Sequence, residues 1–410
     1  MGDGLKPLQP LLPALAVSLV AYSFLAPHRT GSRTVGGVGL ALLAFLLSAI
    51  ASSAQAIAPG ESVKKVTILL TAAAIFFAVT QFCGSRASLA VVVGGAFAGL
   101  ALAGAHGVAQ NSLGLAGVAG FVSDGDLVQR VQGTFGHPNQ YGGYLAFLIP
   151  VAAAVAATRG LGALRGLGAA GVVLALPALV FTYARGAIGG LVLGSLVWLG
   201  VVRPKLAVVV AVVVGASALL LAPATLRERF DPQATREDVP LRADIWAAAI
   251  DIYGESPVLG VGIENYAEAY ERLPGTVPSA SQRRYLNEDE LLTPPHAQNL
   301  YLNVLAEQGI VGIGALVALL GAALLLLYRA SKAVDPLVHA VGLGAGAGTA
   351  GMLLHSLLEV TMLSELALPL FGLLAVVAVG LGLEPQRRRS DFAAPLTTTA
   401  IATAEAPEAS

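Results

Sequence analysis

The chain has 410 residues, of which 56% are hydrophobic and only 12% charged, and its formal net charge is -1. Average globular usage is roughly a quarter charged, so this composition marks a polytopic membrane protein, and its balance of charge gives no reason to expect a nucleic-acid partner. The single cysteine, Cys83, excludes an internal disulfide, and without a Cys/His cluster no zinc or iron–sulfur ligand set is expected; neither is any other metal or cofactor.

A span needs about 20 predominantly apolar residues to cross roughly 30 Å of hydrocarbon. In chain order the candidates are Leu8 to Ala26, Val35 to Ala58, Val66 to Cys83, Leu89 to Val108, Tyr141 to Ala157, Gly166 to Tyr183, Ala187 to Val202, Leu206 to Ala222, Gly309 to Leu327, Leu337 to Leu358 and Ala367 to Leu383. The first is read as a retained span, because only Lys6 precedes it and no small-residue cleavage site follows. The fold class is therefore all-α, a polytopic membrane helical bundle of about 11 to 12 spans with one long external loop.

Short loops rich in Lys and Arg mark the cytoplasmic side. Arg29/Arg33, Arg86, Arg159/Arg165, Arg203/Lys205, Arg329/Lys332 and Arg387 to Arg389 fall on alternate connections. This puts the C-terminus inside, and Gln110 to Gln140 and Pro223 to Pro295 outside. Lys64 and Lys65 break the pattern, being basic on an external loop. Within the long loop, "RADIWAAAIDIY" spaces Ile245, Trp246, Ala249, Ile250 and Tyr253 as a helix would, which predicts an amphipathic helix on the membrane surface. The organisation expected is N-terminal spans over 1–132, a second membrane region over 133–383 that includes the loop 223–296, and a tail, 384–410, too poor in apolar residues to fold.

Four polar signals converge on the outer face. In "QGTFGHPNQYGGYL", His137, Asn139 and Gln140 precede a span, as a helix-capping turn would also require. In "FTYARGAIGGL", Arg185 interrupts an apolar stretch, where a charge is costly unless it is paired or faces water, which marks a functional candidate; the flanking Gly186, Gly189 and Gly190 allow a close backbone approach, and a tight external turn is the bland alternative. Arg242 opens the amphipathic helix, and "PVLGVGIENY" follows, whose Gly260 and Gly262 lack the strand and the third glycine of a dinucleotide fingerprint. Finally "TPPHAQNLYLNVLAEQGIVG" places His296, Gln298, Asn299 and Tyr301 at a helix entrance ahead of Glu307, Gly309 and Gly312. His355 and Glu359 form an i,i+4 pair at the outer end of a late span, either a local bond or part of the same site.

In that order, "GTFGHPNQYGGYL", "YARGAIGGL", "RADIWAAAI" with "SPVLGVGIENY", and "HAQNLYLNVLAEQGIVG" strongly resemble the O-antigen ligase and polymerase superfamily over roughly Gly133 to Leu327. The resemblance implies a GT-C-like, metal-independent glycosyltransferase that takes a glycan from a polyprenyl diphosphate lipid at the outer face of the bacterial inner membrane. The acceptor in that family is lipid A-core, a growing polysaccharide or a protein hydroxyl. Such a transfer needs cations on the leaving diphosphate, a task suited to Arg185 and Arg242. It also benefits from a base for the acceptor hydroxyl, for which a histidine is suited.

The family's loop typically ends in a His-Asn pair, whereas Gln298 precedes Asn299 here and histidine stands two positions earlier. His296 as the base, His137 as the base, leaving-group stabilisation without a strong base, and lost catalysis all stay open. His137, Asn139, Gln298, Asn299 and Tyr301 are expected to bind substrate. The competing reading is a polysaccharide or lipid transporter of the inner membrane, but no internal repeat or midplane ionisable group supports it.

Overall fold

The computed structural model describes residues 33–115, 118–123, 126–221, 232–273, 294–364 and 366–393. Twelve α-helices occur among them: α1 (Arg33–Ser53), α2 (Pro59–Phe82), α3 (Arg86–Ser112), α4 (Pro138–Ala157), α5 (Ala163–Phe181), α6 (Arg185–Val202), α7 (Pro204–Leu221), α8 (Pro232–Glu255), α9 (Tyr266–Arg272), α10 (Leu300–Ala330), α11 (Pro336–His355) and α12 (Ala367–Ala393). Eight of these, α1 to α6 with α10 and α11, are long and apolar enough to cross a membrane, and α7 and α12 carry shorter apolar stretches. Ten of the eleven expected spans thus coincide with helices. The eleventh, Leu8 to Ala26, lies outside the described residues, as do 394–410 of the tail and 222–231 and 274–293 of the long loop. Helix α12 runs past Leu383 to Ala393, so the first part of that tail is helical.

Helix starts follow local chemistry. Pro59, Pro138 and Pro336 occupy first-turn positions where a missing N–H costs nothing. Ser85 and Ser88 form a capping box at α3, and Asp335 accepts the N–H groups of Leu337 and Val338 at α11.

Helix α11 is the centre of the bundle and packs against α4, α6, α10 and α12. Its sequence "VGLGAGAGTAG" makes this possible. A Cβ on Gly344 or Gly348 would overlap α4 at Val151 or Phe147, one on Gly346 would overlap Trp198 of α6, and Gly190 and Gly351 leave α6 and α11 backbone against backbone. Between membrane helices, where apolar burial gains nothing over lipid, such close approach supplies the packing energy.

The connections sort onto two ends. At the basic end Arg86 faces Asp335 at 3.5 Å, Lys332 donates to the Val202 carbonyl at 3.3 Å, and Arg165 donates to that of Ala156 at 3.0 Å. At the other end lie the entrances of α4, α6 and α10 and the exit of α11. The two lysines that break the charge pattern are both neutralised there: Lys64 pairs with Glu61 at 2.6 Å, and Lys65 with Glu264 of the long loop at 2.9 Å.

One piece of local structure is not helical. Val118–Ser123 (β1) and Asp126–Arg130 (β2) pair antiparallel, Val118 opposite Arg130 and Ser123 opposite Asp126. The signal was present as Asp124-Gly125 between two apolar runs, a hairpin turn dipeptide. The amphipathic helix is also present, as α8, but much of its apolar face meets protein. Ile245, Ala248, Ala249 and Ile252 are buried with Val261, Tyr266, Ala269, Ala297 and Ala306, while Ile250 is exposed.

Candidate functional site

The two loops rich in glycine owe their composition to an interlock. In an unbroken α10, Ile310 and Val311 would donate to the carbonyls of Ala306 and Glu307. Instead Ile310 donates to Pro257 at 2.9 Å and Val311 to Val258 at 3.3 Å, and the freed carbonyls accept from Val261 and Gly262 at 3.1 and 3.0 Å. The "PVLGVG" segment is thereby inserted into the hydrogen-bond ladder of α10. Gly309 makes the break, with φ 63° and ψ -161°, a conformation open to essentially glycine alone. A Cβ on Gly260 would overlap the Glu307 backbone. These glycines serve backbone contact, and Glu307 sits in this interlock, accepting from the Tyr266 N–H at 3.1 Å.

Beside the interlock the entrance of α10 is built from caps. Asn299 accepts from Tyr301 and Leu302 N–H groups at 3.0 and 3.1 Å and donates to the Leu357 carbonyl at 3.2 Å. Tyr301 donates its hydroxyl to Leu353 at 2.9 Å. Both side chains, expected to bind substrate, are therefore committed to tying α10 to the end of α11. His296 precedes them, with its Nδ1 accepting the Gln298 N–H at 3.1 Å. Gln298 itself adopts φ 48°, a left-handed conformation uncommon for a residue with a side chain.

Glu359 is the hub. His296 Nε2 lies 3.3 Å from its Oε1, the Val360 N–H donates to the same oxygen at 3.1 Å, and Asn139 Nδ2 donates to Oε2 at 2.6 Å. Arg130 then donates to Asn139 Oδ1 at 2.8 Å and, through Nε, to the Thr182 carbonyl at 2.8 Å. A continuous polar chain runs from the hairpin through the α4 entrance to the α10 entrance, and it fixes which way the Asn139 amide faces. Both ends of the Asn139 amide are engaged in this chain.

Arg242 of α8 donates to the Leu358 carbonyl at 2.9 Å, next to Glu359 in the chain. Arg185 is the first residue of α6, after a turn in which Tyr183 has φ 49°. Arg185 thus follows a tight turn, which brings it to this end of the bundle, because the adjacent Gly186 packs directly on the His355 ring. His355 and Glu359 do not form an i,i+4 helical pair. Helix α11 ends at His355, and Glu359 turns away toward Asn139 and His296. His137 caps α4, its Nδ1 accepting the Asn139 N–H at 3.1 Å, and the residue opens to solvent on one side while its ring is partly enclosed.

The electrostatics follow from burial against charge. Burial pushes the Glu359 carboxyl up, but His296, the Asn139 amide, His355 and the Val360 N–H outweigh it and hold the group below its ordinary value, so it is an anion at neutral pH. Burial lowers the His296 imidazole. Glu359 and Glu264 oppose that, Lys65 and Arg242 add to it, and the net value lies below 6.5. His137 is lowered as well, by burial first, against the pull of Glu359 and with Arg130 and His296 adding to the depression. Both histidines are thus neutral at pH 7. No cluster of His, Cys, Asp or Glu able to hold a metal ion occurs among the described residues.

Sequence reasoning placed His296, His137, Arg242 and Arg185 at this end, and the structure brings them there. It missed Arg130, whose position depends on the hairpin, and it left Glu359 undecided. No curated protein matches the chain. Residues 170–317, which contain Arg185, Arg242, His296 and the α10 interlock, match the family model described as O-antigen ligase, so this part of the chain is similar to the superfamily that its motifs resemble.

Proposed function

We propose that the chain is a glycosyltransferase of polysaccharide assembly, moving a saccharide from a polyprenyl diphosphate lipid to an acceptor hydroxyl at the outer face of the bacterial inner membrane. One observation carries this reading: arginines from three separate elements, a histidine and a carboxylate gather at one mouth of a membrane bundle, within or beside the family match. As the bond from the anomeric carbon to the diphosphate breaks, negative charge develops on the leaving oxygens. Guanidinium groups stay cationic at any physiological pH and present paired donors to such oxygens. Arg185 and Arg242 take this role, and His296 receives the acceptor proton. Lipid A-core, a growing polysaccharide and a protein hydroxyl remain the classes of acceptor, and neither a metal nor another cofactor is part of the proposal.

The test is transfer from a lipid-linked glycan in membranes carrying Arg242→Ala or Arg185→Ala at matched protein levels. Losing a charged contact to a partly buried anion costs on the order of 2 to 5 kcal/mol, so transfer should fall from roughly 30-fold to several thousand-fold. Arg242→Lys should recover little, because an ammonium cannot make the two-pronged contact. Wild-type turnover in both Ala variants would end the proposal. Accessibility reporters placed between 276 and 290 should read the exterior, and a cytoplasmic reading would remove the site from the face where the donor is presented.

A further inference from the structure

Glu359 lies outside the stretch that matches the family, and no role is assigned to it by the transfer reading above. Its surroundings are specific. The His296 Nδ1 accepts the Gln298 N–H at 3.1 Å, which requires Nδ1 to be unprotonated, so the neutral ring carries its proton on Nε2. That nitrogen is the one 3.3 Å from the Glu359 carboxylate. The carboxylate is itself held in place, from one side by the Val360 N–H and from the other by the Asn139 amide that Arg130 orients.

We infer that Glu359 is a positioning residue for the proposed transfer: it holds His296 with Nε2–H turned inward, leaves Nδ1 as the only nitrogen able to take the acceptor proton, and compensates the imidazolium that results. The inference rests on the transfer reading. In the step it describes, the acceptor oxygen forms its bond to the anomeric carbon, and the bond from that carbon to the diphosphate oxygen breaks with its electron pair leaving on the polyprenyl diphosphate. The hydroxyl proton goes to His296 Nδ1, which exchanges its bond to the Gln298 N–H for the incoming proton, and passes later to solvent. The same division of labour, a carboxylate orienting an imidazole and stabilising its cation without being protonated, is established for serine hydrolases.

The charged groups facing His296 are Glu359, Glu264, Lys65, Arg242 and His137. Removing the Glu359 charge therefore leaves His296 with less to oppose its burial, and its protonation should move to lower pH. A neutral glutamine also presents an NH₂ to either Asn139 or His296, where only acceptors fit.

The experiment uses full-length protein in lipid nanodiscs with ¹⁵N-labelled histidine, the His296 resonances assigned by their loss in His296→Gln. Wild type should show the proton on Nε2 at pH 7.5. Glu359→Gln should show a mixed or reversed tautomer and a titration displaced to lower pH, and Glu359→Asp should keep the wild-type tautomer. In transfer assays Glu359→Gln should lower kcat on the order of 100-fold, shift the acid limb of the pH profile to lower pH, and leave KM for the donor within about twofold. A wild-type ring protonated on Nδ1 would overturn the inference, and this measurement stands even where a variant does not fold. An unchanged tautomer, titration and kcat in Glu359→Gln would overturn it too. The tautomer is read without any glycan, so a correctly oriented His296 in a protein that transfers nothing would reject the transfer reading alone.

Discussion

The entrances of α4 and α10 use one device for two ends. Each begins with a histidine whose Nδ1 accepts the N–H two residues on, at 3.1 Å in both: His137 from Asn139, and His296 from Gln298. At α4 the histidine is itself the cap, and the next polar side chain, Asn139, reaches the carboxylate hub. At α10 a separate residue, Asn299, does the capping, which leaves the His296 ring free to lie against Glu359. The helices behind them differ as well: α10 is opened at Gly309 by the inserted loop, so its mouth is fixed to the external segment. Similar local sequence thus yields one histidine that serves its helix and one that is set into a charged site. What separates them is the tertiary partner each entrance meets.

The largest test of that difference strikes the interlock. Gly309→Ala forces a Cβ into the Val258 backbone and into a conformation that side chains avoid, a cost of about 2 kcal/mol or more from strain alone. The expected outcome is loss of transfer together with protease sensitivity in the α8–α9 segment, read by limited proteolysis. Gly314→Ala, five residues further along α10, would meet nothing within 4 Å and should be much milder. Equal behaviour of the two would mean that the inserted loop does not hold the α10 entrance.

Next in size is His296→Ala, expected to lower transfer roughly 100-fold or more if this ring receives the proton. The pH dependence has a defined sign. A base works unprotonated, so the rate should rise with pH through the imidazole pKa, and because burial holds that value below 6.5 the limb should lie on the acid side of 6.5 with a plateau by neutrality. In His296→Ala the limb should vanish. A limb that persists unchanged would assign it to another group, and the two entrances would no longer differ as argued.

Much of this molecule could be read from the order of its residues, and the exceptions have physical causes. Span positions follow from apolar length, so ten expected spans match helices within a few residues at most ends, although α10 begins nine residues earlier than Gly309, because a helix entrance lined with Asn and Gln carries little apolar signal. The clustering of His137, Arg185, Arg242 and His296 at one end of the bundle was legible from the alternation of the basic loops. Arg130 was not legible, because its place depends on β2 and on the Thr182 carbonyl more than fifty residues away in the chain. The spacing of His355 and Glu359 left open a local bond or a shared site, because spacing alone does not reveal that α11 stops at His355. The roles expected of Asn139, Asn299 and Tyr301 changed once their bonds were visible, since a polar residue at a helix mouth caps or binds with the same side chain, and only its partners tell which.

A smaller effect is expected at Asn299. Its loss removes the cap of α10 and the bond to Leu357, and cap removal typically costs about 1 kcal/mol. Leu357 is exposed, so water can replace the lost bond to its carbonyl, and the stability loss should stay at about 1 kcal/mol, read as a lower melting midpoint in detergent. Residual transfer should scale with the folded fraction. A variant that melts like wild type yet cannot transfer would return Asn299 to substrate binding.

The smallest effect is expected at His137, and it is the one that most sharpens the comparison. Its Nδ1 caps a first turn of α4 that Pro138 already fixes, and Glu359 reaches this entrance through the Asn139 side chain, whereas it faces the His296 ring directly. His137→Asn should preserve an N-cap acceptor and be nearly silent in both stability and transfer. His137→Ala should cost about 1 kcal/mol through the lost cap and lower transfer no more than about threefold, with the acid limb left where it was. Burial depresses this imidazole as it does that of His296, so the position of a limb alone does not distinguish the two rings; its disappearance in one Ala variant and survival in the other does. If His137→Ala removes the limb and His296→Ala keeps it, the proton acceptor belongs to the α4 entrance, and Glu359 would then act on it through Asn139 instead of directly. If both variants keep most of their activity, the arginines on the leaving diphosphate carry the reaction without a strong base.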